Sequence, residues 1–200
     1  MTRFEDAVPE LAAATVHDIL TDRFRDSPTL LADIVAGDTV VADRLRRPGA
    51  SFVTLRRSGE LRGCIGSLSA RRALYTDITG NTRHAVRDPR MAPVTADEWP
   101  ALDIEVSVLT EPEPVDVGDP AALMALLRPG VDGLTLRQGT RRATFLPAVW
   151  ESLPEPDRFL AALLRKGGWE SDEWPADLSV ERYRADSYTS PAPRPQLETS

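Results

Sequence analysis

The alternation of hydrophobic and polar positions predicts several β-strands. The clearest is LDIEVSVLT, residues 102–110, in which apolar and polar residues alternate and so face opposite sides of a sheet. Residues 51–68 and 131–147 each predict a β-hairpin, with turns at Ser58-Gly59 and Gln138-Gly139. A last strand is predicted within 178–188.

Helical spacing of apolar residues separates these strands. It predicts helices over 8–20, over about 71–87, from Pro120 to the following RPG, and over 156–167. Strands and helices therefore mix without regular βαβ alternation. We predict an α+β fold with a mainly antiparallel sheet and flanking helices.

The length of 200 residues suits one domain. We expect this domain to span residues 1–189, with a helical segment over 1–48. The end of the chain, 190–200, is polar and rich in proline, and we expect it to be disordered.

Composition narrows the functional classes. The net charge of −7 argues against DNA and broad nucleic-acid binding, which requires a basic surface. No stretch of about 18 apolar residues is present, so no membrane span is expected, and the acidic start does not resemble a signal peptide. A single cysteine suggests a reducing compartment, and we expect a cytoplasmic protein.

Polar residues follow one edge of the helix predicted over 71–87. Asp77, Asn81, His84 and Asp88 recur at helical spacing, and Asn81 interrupts the apolar stripe. A buried amide needs a hydrogen-bond partner or a ligand. The pattern therefore fits either a binding surface or an ordinary helix border.

Cys64 lies on the second strand of the first hairpin, in the sequence RGCIG. Strict alternation places Arg62 and Cys64 on one face of the sheet, and Gly63 on the other. Cys64 is either a small buried residue or a nucleophile, the latter paired with His84. General acid–base chemistry by His84 or Glu105 is the other option. Zinc and phosphate-loop motifs are absent, and we expect no metal and no cofactor.

Six segments occur in an order that resembles the AMMECR-type domain, found in the AmmeMemoRadiSam system protein A of bacteria and archaea. They are LRGCIGSL, RDPRMAPVT, LDIEVSVLT, DGLTL, ATFLPAVWE and LLRKGGW, and the likeness covers about 51–188. The resemblance implies an α+β fold with two unequal lobes and a cleft between them. By position it implies the site residues Arg62, Gly63, Cys64, Asp88, Arg90, Glu105, Ser107 and Lys166.

Two positions depart from the family pattern. His84 stands where a small residue is usual, and Met91 where phenylalanine is usual. We therefore hypothesise a specialised biosynthetic enzyme that performs acid–base chemistry on an activated carbonyl compound, such as elimination, conjugate addition or cyclisation. Its catalytic residues would be His84, Cys64 and Glu105. Its substrate would contact Arg62, Gly63, Asn81, Arg90, Met91, Ser107 and Lys166.

Two alternatives remain open at this point. One is a thiol-dependent transferase or hydrolase that uses Cys64. The other is a non-catalytic partner protein in a system with Memo-type and radical-SAM proteins, as the resemblance suggests. The expected partners are therefore a small-molecule substrate and, in the second case, another protein of the same pathway.

Overall fold

Helices and antiparallel sheets build the chain, which confirms the predicted α+β class. The computed structural model describes residues 2–170 and 174–197. The chain divides into two compact units. The first comprises residues 1–108 and 187–200, and the second comprises 109–186.

The first unit contains a four-stranded sheet and four helices among its described residues. The helices are α1 (Phe4–Leu20), α2 (Ser27–Val35), α3 (Thr39–Arg46) and α4 (Leu74–Ala85), with a 3₁₀ helix at Ala96–Ala101. The strands are β1 (Pro48–Gly49), β2 (Ser51–Arg57), β3 (Glu60–Gly66), β4 (Arg72–Ala73), β5 (Leu102–Leu109) and β10 (Ala185–Ser190). The sheet order is β10-β5-β2-β3, so β3 is an edge strand, and a two-stranded ribbon pairs β1 with β4.

One face of this sheet forms the core of the first unit. Val53 and Leu55 on β2, and Ile104 and Val106 on β5, are buried with the apolar side chains of the helices. Helix α4 packs between α1 and β2, and its Ile78 is fully buried. Thr54 on β2 and Glu105 on β5, which alternate with these residues, therefore face away from the helices.

Gly63 allows α4 to lie close to the edge strand. A Cβ atom added at this glycine would lie 2.0 Å from the backbone oxygen of Ala85, at the end of α4. Any side chain at position 63 would therefore push the helix and the strand apart. Gly63 has a packing role, whatever else it does.

The second unit is built on a four-stranded antiparallel sheet. Its elements are β6 (Glu113–Val115), α5 (Pro120–Leu126), β7 (Gly133–Gln138), β8 (Arg141–Phe145), a 3₁₀ helix at Pro147–Glu151, α6 (Pro156–Gly167) and β9 (Ser179–Tyr183). The sheet order is β6-β9-β7-β8. In the core of this unit the ring of Trp150 stacks on Phe159, with the ring centroids 3.8 Å apart.

Several boundaries differ from the sequence-based expectation. The first helix begins at Phe4, before the stretch that was predicted. The strand predicted within 178–188 is two strands, β9 and β10, which belong to different sheets. No helix among the described residues is long and apolar enough to cross a membrane.

The segment expected to be disordered makes specific contacts over its described part. The backbone amide of Ala192 donates to Asp103 at 2.8 Å. Arg194 donates through Nε to the backbone oxygen of Leu102 at 2.8 Å and lies over the ring of Trp99. Residues 198–200 lie outside the described residues, and the predicted domain limits remain a prediction.

The packing at Gly63 generates a stability prediction. Gly63→Ala should lower the free energy of unfolding by about 1–3 kcal/mol, because the new methyl group overlaps the backbone of Ala85. Urea unfolding followed by circular dichroism measures the change. Gly118→Ala is the matched control, because a Cβ there meets no atom within 4 Å. Equal stability of the two variants would contradict this account.

Candidate functional site

Cys64, Thr54 and Glu105 lie in one row across three strands. Thr54 on β2 is opposite Cys64 on β3 and opposite Glu105 on β5. Directly opposed residues share a face of the sheet, so this row lies on the side away from the helical core. All three residues are half-buried, and the hydroxyl of Thr54 donates to the sulfur of Cys64 at 3.5 Å.

The edge of β3 at Cys64 is closed by the loop that follows α4. The backbone N–H of Cys64 donates to Asp88 Oδ2 at 3.0 Å, and its backbone oxygen accepts from Arg90 Nη2 at 2.9 Å. An edge strand normally leaves such groups unpaired. The Asp88–Arg90 pair therefore replaces a neighbouring strand at this one residue.

Asp88 and Arg90 also hold each other. Arg90 donates to the carboxylate through Nε at 2.9 Å and Nη2 at 2.6 Å, and its backbone amide donates at 3.1 Å. These contacts, with the amide of Cys64, keep the pKa of Asp88 well below its usual range. The carboxylate is fully buried, whereas 61% of the Arg90 side chain is exposed. Arg90 thus brings an accessible positive charge to the backbone of Cys64.

Arg62 is held by a second buried carboxylate. It donates to Glu98 through Nε at 2.6 Å and Nη2 at 3.0 Å, and to the backbone oxygen of Ala92 at 3.3 Å. The hydrogen bonds from Arg62 lower the pKa of Glu98 to about 2. Glu98 also accepts from the backbone amide of Thr95 in a capping box. This guanidinium is committed to a structural pair.

The predicted common face of Arg62 and Cys64 depends on regular alternation, and β3 is irregular at this point. Leu55 is opposite Gly63 while Arg56 is opposite Leu61, so Arg62 is an extra residue in a bulge. The two side chains reach different partners, Glu98 and Thr54. Strict alternation does not apply across Arg62.

Glu105 belongs to a small polar group on the same face as Cys64. Its Oε1 accepts from Ser107 at 3.3 Å and from Ser187 at 3.1 Å, and the two serine hydroxyls lie 2.9 Å apart. Ser107 and Glu105, two residues that the family resemblance implied for the site, are thus in contact. Ser187 was not identified from the sequence, because it lies 82 residues further along the chain.

Asn81 is inside the protein, only 3% exposed. Its amide nitrogen donates to the backbone oxygen of Ser51 and to Asp77 Oδ2, both at 2.9 Å, and its oxygen accepts from Arg72 at 3.3 Å. The partner that a buried amide requires is therefore supplied by the protein. The contacts of Asn81 are structural ones.

No hydrogen bond joins His84, Met91 or Lys166 to Cys64 among the described residues. His84 is exposed, and its side chain makes no hydrogen bond or ion pair within the described part of the chain. Met91 is half-buried, and its backbone amide donates to the oxygen of Asp88. Lys166 belongs to the second unit, where Nζ donates to the backbone oxygen of Thr144 at 3.0 Å.

Two residues that contact Cys64 or Arg62 were not identified from the sequence. Thr54 was placed on a strand, but its contact depends on the exact register of the hairpin. Glu98 had a recognisable signal, because Thr95 and Glu98 form the capping-box pattern. Over residues 2–170 and 174–197, no three His, Cys, Asp or Glu side chains form a group that could hold a metal ion.

Comparison with known proteins gives the family. The AMMECR1 family model matches residues 11–188. This chain belongs to the AMMECR1 family. The match confirms the resemblance and begins well before residue 51, where the recognisable segments start.

Archaeal members of the AMMECR1 family resemble this chain over most of their length. A protein of Methanothermobacter thermautotrophicus is 37% identical over 150 residues, which are 72% of this chain and 76% of that protein. Protein MJ0810 of Methanocaldococcus jannaschii is 32% identical over 145 residues, 69% of this chain and 70% of that one. The crystal structure of the uncharacterized protein PH0010 from Pyrococcus horikoshii has a TM-score of 0.76 and 26% identity. The matched region covers 99% of this chain and 97% of the PH0010 chain.

The contacts of Asp88 generate a pH-dependent prediction. Asp88→Asn should lower the free energy of unfolding at neutral pH by about 1–3 kcal/mol, because buried donors lose a charged acceptor. The lowered pKa of Asp88 stabilises the folded state above the unfolded value of about 4, and this contribution disappears as the pH falls further. Urea unfolding at several pH values measures both effects.

Asp22→Asn is the control for this experiment, because Asp22 is exposed and has a positive φ that asparagine tolerates. The stability difference between wild type and Asp88→Asn should shrink as the pH falls below about 4. The prediction is wrong if the difference stays constant down to the acid transition.

Proposed function

We propose that this AMMECR1-family chain is a small-molecule enzyme whose reactive group is the thiol of Cys64. The substrate would lie on the polar face of the first sheet, across Thr54 and towards Glu105. The reaction class is acyl transfer or hydrolysis of an activated carbonyl compound, without a cofactor. Of the two chemistries and the one non-catalytic role considered from the sequence, this chemistry has the most support in the geometry.

The observation that carries the proposal is the fixed position of Cys64. Both backbone polar groups of this residue are held by the Asp88–Arg90 pair, while its half-buried sulfur faces the side chain of Thr54. A hydroxyl donor at the sulfur suits the negative charge that a thiol carries when it attacks. The exposed part of Arg90 adds positive charge nearby.

The proposed reaction has two steps. The sulfur of Cys64 forms a bond to the carbonyl carbon, and the bond to the leaving group breaks, so that the leaving group departs with the thiol proton. Water or a second substrate then attacks the thioester and releases Cys64 as a thiolate. Glu105 would accept the proton of this second nucleophile, and return of that proton to the sulfur restores the thiol and the carboxylate. Two strand spacings separate the backbones of Cys64 and Glu105, about 9–10 Å, so the substrate would bridge them.

The acid–base hypothesis centred on His84 has less support. Its histidine is exposed and lacks a partner among the described residues, and Arg62, one of its expected substrate contacts, is bound to Glu98. Catalytic bases are usually oriented by a neighbouring group. A role as a partner of Memo-type and radical-SAM proteins stays a proposal from the family resemblance. A cytoplasmic location and a biosynthetic pathway stay proposals from the sequence.

The reactivity of Cys64 is directly measurable, because it is the only cysteine in the chain. We expect iodoacetamide to alkylate the native protein faster than it alkylates glutathione near neutral pH. Thr54→Val should slow the reaction about fivefold, the equivalent of one hydrogen bond. Mass spectrometry measures the rate. Thr140→Val, in an exposed turn of the second unit, is the control and should leave the rate unchanged.

Turnover separates the thiol mechanism from the acid–base one. With p-nitrophenyl acetate as the probe, we expect an acetylated Cys64 and turnover that is lost in Cys64→Ser and kept in His84→Ala. The reverse pattern would favour acid–base chemistry by His84. Slow alkylation together with no acetylation would overturn the enzyme proposal and favour a partner protein.

A further inference from the structure

A pocket with a volume of about 350 Å³ lies in the first unit, at the connection from β3 to α4. The site built around Cys64 uses none of its residues. Small-molecule pockets usually range over about 300–1,000 Å³, so this one suits a small metabolite. Its lining residues are Ser67, Leu68, Ser69, Arg71, Arg72 and Asp77.

Arg72 is held in a defined orientation at this pocket. Its Nε donates to Asp77 Oδ1 at 2.8 Å, and Nη2 donates to Asn81 Oδ1 at 3.3 Å. The guanidinium lies close over Gly80, where an added Cβ would be 3.2 Å from Nη1. The side chain remains 43% exposed, and Nη1 donates to no described residue. A fixed guanidinium with a free donor is pre-organised to bind an anion.

The carboxylate of Asp77 does not cancel this positive charge with a two-point pair. It makes one hydrogen bond with Arg72 and four others, two of them with Ser51 and one each with Ser67 and Asn81. Each of these donors satisfies part of the buried negative charge. The positive charge of Arg72 is therefore still available to attract an anion from solution.

Arg71 adds a second positive charge to the same pocket. Its side chain is exposed and makes no hydrogen bond or ion pair with the rest of the described chain. Two arginines and one buried carboxylate line this pocket, in a protein with a net charge of −7. The local excess of positive charge is opposite to the overall charge.

We propose that this pocket binds the phosphate group of a soluble small molecule. Arginine forks match the oxygens of a phosphate and make charge-assisted hydrogen bonds with them. The pocket is larger than inorganic phosphate alone, so the ligand would carry a short organic group beside Leu68. This binding site is independent of the chemistry proposed at Cys64.

Inorganic phosphate is the first probe, titrated into the full chain near neutral pH and compared with chloride at equal ionic strength. Calorimetry or NMR shifts measure its affinity. Arg71→Gln should weaken phosphate binding about tenfold, because a charged donor is lost. Arg23→Gln removes an exposed arginine outside the pocket and should change the affinity by no more than about twofold.

Arg72→Gln should abolish phosphate binding, but it also removes a partner of buried Asp77, so circular dichroism must first show that it folds. The Arg71→Gln variant breaks no contact among the described residues and decides the question if the other variant is unfolded. Equal effects of phosphate and chloride, or wild-type affinity in Arg71→Gln, would overturn the proposal.

The source of the phosphate group is tested in a second arm. Glycerol 3-phosphate should bind at least as tightly as inorganic phosphate, and the chain should not sediment with vesicles containing phosphatidic acid. Arginine-dependent sedimentation with those vesicles would overturn the assignment to a soluble ligand.

Discussion

A buried carboxylate at each end of helix α4 fixes the edge strand that carries Cys64. Asp77, in the first turn, binds Ser51 at the start of β2 and Ser67 just after β3. Asp88, after the last turn, binds the backbone amide of Cys64. Between them, Gly63 lets the helix touch the strand. The position of the Cys64 sulfur is therefore set by contacts on α4 and on the residue Asp88 that follows it.

Burying two carboxylates is expensive unless hydrogen bonds replace water. Here both carboxylates accept from backbone amides and from one arginine. Asp77 also accepts from two serine hydroxyl groups and from the amide of Asn81. No side-chain polar atom buried within the described residues lacks a partner. Such a network adds less to the net stability of the fold than it does to holding the hairpin in a single arrangement. A site on an edge strand requires this fixed arrangement.

The local patterns of the sequence predicted much of the fold. The alternation in β5 and the turn at Ser58-Gly59 place the central strands correctly, because these patterns depend on neighbouring residues. The resemblance identified the family and implied both Arg90 and Cys64 as site residues. In the structure Arg90 donates to the backbone oxygen of Cys64. The bulge at Arg62 and its pairing with Glu98, 36 residues away, depend on tertiary contacts that no local pattern reveals. Asn81 was correctly marked as an unusual polar position, but its partners are protein groups.

Arg62, Arg72 and Arg90 of the first unit each meet a buried carboxylate, but they differ in how far their charge is neutralised. Arg62 and Arg90 each make a two-point pair with one carboxylate, which uses the geometry that arginine would offer to a substrate. Arg72 makes a single bond to a carboxylate that four other donors already share. An arginine in a recognisable motif can thus be structural, while one outside the motif keeps its capacity to bind a ligand. Whether an arginine is structural or can bind a ligand depends on the partners of its guanidinium, and not on whether it lies in the RGCIG segment.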